Sequence, residues 1–135
     1  MLPKILLVDD EEEILEFLER VLRIRYTILK AENGQEALNI LATEAVQLIV
    51  SDVMMPVMDG FEVFSRIQKL DKDVPVVAIT AMSRPAEREK ALKAGFCDYF
   101  VKPILEIDRF REIVYSHIGE CANPHVKPSD GKKAA

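Results

Sequence analysis

Five short apolar runs, each closed by a polar residue and followed by a segment of helical period, constrain this chain more than any other feature. The first is Lys4–Val8 (KILLV), which follows Pro3 and ends in Asp9 and Asp10. Residues 26–30 (YTILK) are more mixed in polarity. Leu48, Ile49 and Val50 end in Ser51 and Asp52, before breaks at Pro56 and Gly60. Residues 76–79 follow Pro75 and end at Thr80, and residues 98–101 (DYFV) run into Lys102-Pro103. Short runs bounded by turn residues read as buried strands. The segments between them are helical. Ile14, Leu15, Phe17, Leu18, Val21 and Leu22 share one face. Ala37, Leu38 and Leu41 point inward from a short helix over residues 35–42, after an Asn33-Gly34 turn. Phe61, Val63, Phe64 and Ile67 continue after Gly60. Pro85 stands near the start of a fourth helix and Gly95 at its end. A last helix is expected from about residue 105 to 118, with Ile107, Phe110, Ile113, Val114 and Ile118 on its apolar face. Asp10 followed by Glu13 predicts the cap of the first helix, where acidic residues suit the dipole.

Strict alternation of strand and helix implies a parallel sheet with helices on both faces. The first, third and fourth strands are continuously apolar and so belong at the centre. The second and fifth, mixed or short, belong at the edges. The resulting order, 2-1-3-4-5, is that of a flavodoxin-like, doubly wound α/β fold with five strands and five helices. Its switch point lies between the first and third strands. Asp9, Asp10 and Asp52 meet there, with Thr80 and Lys102 at the neighbouring strand tips.

At 135 residues the chain suits one domain. A net charge of -5 argues against direct nucleic-acid binding. No apolar run is long enough for membrane insertion and no signal peptide is evident, so a cytoplasmic location is expected. Cys97 and Cys121 have neither metal nor redox spacing. Residues 122–135, with two prolines and a Lys-Lys pair, read as a disordered tail or linker stub after a domain of residues 1–121.

Three carboxylates on one rim repel, and a divalent cation removes the conflict. An all-oxygen, partly hydrated site suits Mg2+. Each residue also has a plain structural reading: Asp9 and Asp10 as helix caps, Asp52 as a turn former, Thr80 as a strand-end threonine, Lys102 as a surface lysine. Their joint placement at strand C-termini favours a site.

The chain resembles the receiver domain of bacterial two-component response regulators over residues 4–118. The resemblance is carried by Asp9-Asp10, by Asp52 with Met55-Pro56 and Asp59-Gly60, by Thr80-Ala81, and by Lys102-Pro103 after residues 98–101. It implies a phosphoacceptor signalling switch rather than an enzyme with an external substrate. Asp52 would accept a phosphoryl group from a sensor histidine kinase or a histidine phosphotransfer protein. Mg2+ would be held by Asp9, Asp10, Asp52 and the Met54 carbonyl. Thr80-Ala81 and Lys102 would bind the phosphoryl group, Tyr99 would swing inward, and Lys102-Pro103 would be cis. The face of the fourth helix, fifth strand and fifth helix would act on an output domain or a second copy. Met54 and Met82, two residues after Asp52 and Thr80, would tune the lifetime of the phosphorylated state, since neither offers a strong hydrogen-bond donor to water. A dehalogenase-type hydrolase would need an acid at Met54. A flavin or nucleotide binder would need a Gly- or Ser/Thr-rich loop where Asp9 to Glu13 stand.

Overall fold

The computed structural model describes residues 2–55, 58–70 and 74–121, except the side chains of 119–121. Pro56, the Cys121 thiol and the expected tail lie outside the described residues. The elements alternate as expected: β1 Lys4–Val8, α1 Glu12–Leu22, β2 Thr27–Ala31, α2 Gly34–Thr43, β3 Leu48–Asp52, α3 Gly60–Lys69, β4 Val76–Thr80, α4 Pro85–Ala94, β5 Asp98–Val101 and α5 Ile107–Cys121. All strand pairs are parallel, in the order β2-β1-β3-β4-β5.

The pleat divides the core in two. On one face Leu6, Val8, Ile49, Val76 and Ala78 meet residues of α2, α3 and α4. On the other, Ile5, Leu7, Leu48, Val50, Val77 and Ile79 meet α1 and α5. β3 and β4 are buried throughout, as central strands of a parallel sheet must be. β2 and β5 are partly exposed edges.

Boundaries differ from the expected ones by a residue or two at β2 and α2. α5 starts at Ile107 rather than 105 and runs past 118, to Cys121. One expectation fails outright: Asp10 does not cap α1. The helix starts at Glu12, its N-cap is Glu11, and no side chain caps it. Asp9 is the carboxylate drawn into the turn, accepting from the Glu11 N–H at 2.9 Å. Glu12 and Glu13 do occupy the first turn, where their charge suits the helix dipole. Asn33 and Asp59 cap α2 and α3, accepting from the Glu36 and Glu62 N–H groups. Gly95 closes α4 at φ 119°, and a Cβ there would stand 2.8 Å from the Phe64 ring.

Candidate functional site

The register decides what meets at the rim. Val8 pairs with Ser51, and Asp52 pairs with Ile79, so Asp9 and Asp52 leave adjacent strands side by side. Thr80 pairs with Val101, and the Lys102 N–H bonds the Thr80 carbonyl at 2.8 Å. Four segments distant in sequence thus end together.

Carboxylate oxygens of Asp9, Asp10 and Asp52, one from each, all lie within 4.8 Å of one another. Asp9 and Asp52 are buried, whereas Asp10 is exposed. Lys102 Nζ stands among carboxylates: 2.8 Å from Asp9 Oδ2, 2.8 Å from Glu11 Oε1 and 3.1 Å from Asp52 Oδ2. The second Asp52 oxygen accepts from the Met54 N–H at 3.0 Å. Burial pushes the Asp9 carboxyl up to about 6, against the pull of the Lys102 ammonium and the Glu11 N–H. Burial likewise raises Asp52, opposed by the Met54 N–H and Lys102. At Lys102 burial pulls the other way, and the carboxylates of Asp9, Glu11 and Asp52 more than offset it, holding the ammonium above its ordinary range. Burial thus makes the charged forms of Asp9 and Asp52 costly, and Lys102 offsets part of that cost.

The donor set fits Mg2+. It is oxygen only, and three acids face one cation. Asp9 Oδ2, though close to Lys102, accepts no well-directed hydrogen bond. A buried carboxylate oxygen with unused acceptor capacity, beside two more carboxylates whose oxygens lie within 4.8 Å, is what a hard cation takes. Gly60 allows the loop to close behind the site. Its N–H bonds the Val53 carbonyl at 3.3 Å, and a Cβ would stand 2.5 Å from the Asp52 carbonyl oxygen.

On the other side, Thr80 is fully buried and its Oγ1 accepts from the Met82 N–H at 3.2 Å. The Tyr99 hydroxyl donates to the Met82 carbonyl at 2.7 Å. Tyr99 is buried, so the structure records an inward position, with that carbonyl as its anchor. Ala81 is exposed, Met54 is exposed, and Met82 is half-buried against the core. Lys102-Pro103 is cis.

Residues 5–115 match the family model described as the response regulator receiver domain. The chain belongs to the response regulator receiver family. It is a phosphoacceptor signalling switch in architecture, a role distinct from turning over a substrate. The receiver is 41% identical over 110 residues to an uncharacterized 14.6 kDa protein in the sodA1 3' region of Leptolyngbya boryana, covering 79% of this chain and 84% of that one. It is 39% identical over 104 residues to the transcriptional regulatory protein PrrA of Mycobacterium bovis, covering 76% of this chain and 45% of that one. The receiver spans about 39–54% of the length of the transcriptional regulators it matches. Among solved structures, the receiver domain of Francisella response regulator 1452 superposes with a TM-score of 0.81 at 29% identity, covering 87% of this chain and 98% of that one. The BeF3-activated DrrB receiver domain gives 0.80 at 28%, covering 88% and 99%. Among the described residues no helix is long and apolar enough to cross a membrane.

Sequence reasoning misses two residues. Glu11 is one letter of an acidic run, and nothing in its spacing points to a lysine 91 positions away. His117 is absent from the apolar face expected of α5, although it stands at i+3 from the buried Val114 and i+7 from the buried Phe110. It is fully buried, with Nε2 3.5 Å from Asp98 Oδ2.

Proposed function

We propose that Asp52 accepts a phosphoryl group from a phosphohistidine on a sensor histidine kinase or a histidine phosphotransfer protein. The observation that carries this reading is the Asp52 carboxylate, buried at a strand tip, beside two more acids and 3.1 Å from the Lys102 ammonium. In the transfer an Asp52 oxygen attacks phosphorus in line. A carboxylate–phosphorus bond forms, the bond from phosphorus to the histidine nitrogen breaks, and the imidazole leaves with its electron pair. The chain's task is to hold the nucleophile in line and to disperse charge on the transferred oxygens.

The Met54 N–H fixes one Asp52 oxygen, which orients the other. Lys102 follows the transferred group, exchanging a carboxylate partner for a phosphoryl oxygen. Thr80 turns its hydroxyl from the Met82 N–H toward another. Asp9, Asp10, Asp52 and the Met54 carbonyl would hold Mg2+, which supplies further positive charge at the phosphoryl oxygens when bound. The product adds roughly two negative charges at one buried rim. Rearrangement of Thr80 carries the change through Met82 and Tyr99 to the face of α4, β5 and α5, where an output domain or a second copy responds.

Met54 and Met82 support a long-lived phosphorylated state, because neither side chain orients an attacking water. Met54→Asn should shorten that lifetime, read by loss of the phosphoryl adduct over time; an unchanged lifetime would remove this role.

The acceptor itself is tested by intact-mass spectrometry after incubation with acetyl phosphate and Mg2+. One phosphoryl adduct is expected, absent in Asp52→Asn and absent with chelator. An adduct that persists in Asp52→Asn would place the acceptor elsewhere.

A further inference from the structure

We infer that Glu11 is a positioning residue for Lys102: a displaceable carboxylate that holds the ammonium at the rim and yields it to an incoming phosphoryl oxygen. This rests on the reading of Asp52 as acceptor. An ammonium has three N–H donors. Here three carboxylates stand against it, Asp9 and Glu11 at 2.8 Å and Asp52 at 3.1 Å. Of the three, Glu11 and Asp52 accept a well-directed hydrogen bond, so an incoming phosphoryl oxygen competes with these two for the ammonium.

The three differ in what leaving would require. The Asp9 and Asp52 side chains are 1% and 5% exposed, and each is fixed at a strand end and held by a backbone N–H. Asp9 cannot turn into water while β1 stays in place, and the Asp52 oxygen that faces Lys102 is the one free to take the phosphoryl group, so it keeps its place at the site. The Glu11 side chain is 59% exposed. Its backbone is anchored without it, since its N–H bonds Asp9 and its carbonyl accepts from the Ile14 and Leu15 N–H groups. Glu11 can therefore rotate its carboxylate into water while α1 stays in place. With one partner this open to solvent, the pair costs little to break.

Reach separates this role from a general field. Aspartate at position 11 keeps the charge but is one methylene shorter. Glu12, next in sequence, carries the same charge in the first turn of α1 and its field is felt at Lys30. The experiment compares wild type, Glu11→Gln, Glu11→Asp and Glu12→Gln by two readouts. The first is the 1H–15N resonance of the Lys102 ammonium in metal-free protein. The second is the affinity for beryllofluoride, which stands in for the phosphoryl group on Asp52, at saturating Mg2+.

Both Glu11 variants should shift the Lys102 resonance and tighten beryllofluoride binding by about twofold to fivefold, the effect of one half-exposed ion pair. Glu12→Gln should do neither. The inference is overturned if Glu11→Gln matches Glu12→Gln, if Glu11→Asp matches wild type, or if binding weakens in Glu11→Gln. Wild-type protein that binds no beryllofluoride would instead sink the acceptor reading, and with it the ligand for which Lys102 is exchanged.

Discussion

Asp9 follows β1 and Asp52 ends β3, central strands packed between helices on both faces, whereas Tyr99, on the edge strand β5, packs in one cluster with Ala91, the one buried side chain of α4. α5, on the other side of β5, buries Phe110, Val114 and His117 completely. The stiff side of the rim carries the unfavourable charge, because its carboxylates have nowhere to relax. The soft side carries hydrogen bonds that can be exchanged locally, Thr80 to Met82 and Tyr99 to Met82. Electrostatic stress and mechanical give are kept in different halves of one site. A switch needs that separation: charge added at a place that cannot move is answered by a place that can.

The comparison breaks first at α5. Phe110→Ala should cost about 3–5 kcal/mol of stability by chemical denaturation, as for a fully buried aromatic ring. A loss below about 1 kcal/mol would mean that α5 is no stiffer than α4.

The second test concerns the stressed side. The Asp9 carboxyl is raised to about 6 from an ordinary 3.8, so between those values the folded chain holds more proton than the unfolded one. Its burial therefore lowers stability as pH rises through that window, fully above it and not at all below. In metal-free protein, Asp9→Asn should stabilise by about 1–3 kcal/mol at pH 7.5, with the gain vanishing below about pH 4. A variant less stable than wild type at pH 7.5 would show that the Lys102 pairing outweighs burial. Mg2+ should narrow the difference by stabilising wild type preferentially, seen as a rise in Tm.

On the soft side the effects should be small. Tyr99→Phe removes the bond to the Met82 carbonyl and should cost about 0.5–1.5 kcal/mol. Leu92→Ala, at a position 38% exposed on α4, should stay within about 0.5 kcal/mol. If Leu92→Ala costs as much as Phe110→Ala, the two helices are held alike and the contrast falls.

The sheet is legible in the sequence because its central strands are apolar throughout and its edges are not. Leu48, Ile49 and Val50 of β3 are fully buried, and the mixed letters of residues 26–30 belong to a half-exposed edge. Strand order follows from that contrast, and strand order with the parallel register sets Asp9, Asp52, Thr80 and Lys102 on one rim. The cap of α1 is not legible. Asp9, Asp10 and Glu11 are all able to serve a helix start, and only the position of Asp9 at the end of a buried strand turns its carboxylate onto the Glu11 N–H. The Glu11–Lys102 pair and the His117–Asp98 contact are hidden for a related reason. Each joins residues whose proximity comes from the fold and not from spacing along one element. In His117 the helical period is present and the polar letter conceals it.

The rim has an order in time as well as in space. Its acids, Asp9, Asp10, Asp52 and also Glu11, all lie in the first 52 residues, and the ammonium that faces them stands at position 102. A chain leaving the ribosome thus exposes a cluster of like charge for some fifty residues before its counter-charge is made. Until β5 joins the sheet, closing β1 against β3 brings carboxylates together with no lysine between them. The last strand of the sheet to be synthesised is the one that brings the lysine to the acids of β1 and β3, so completion of the sheet and arrival of the counter-charge are a single event.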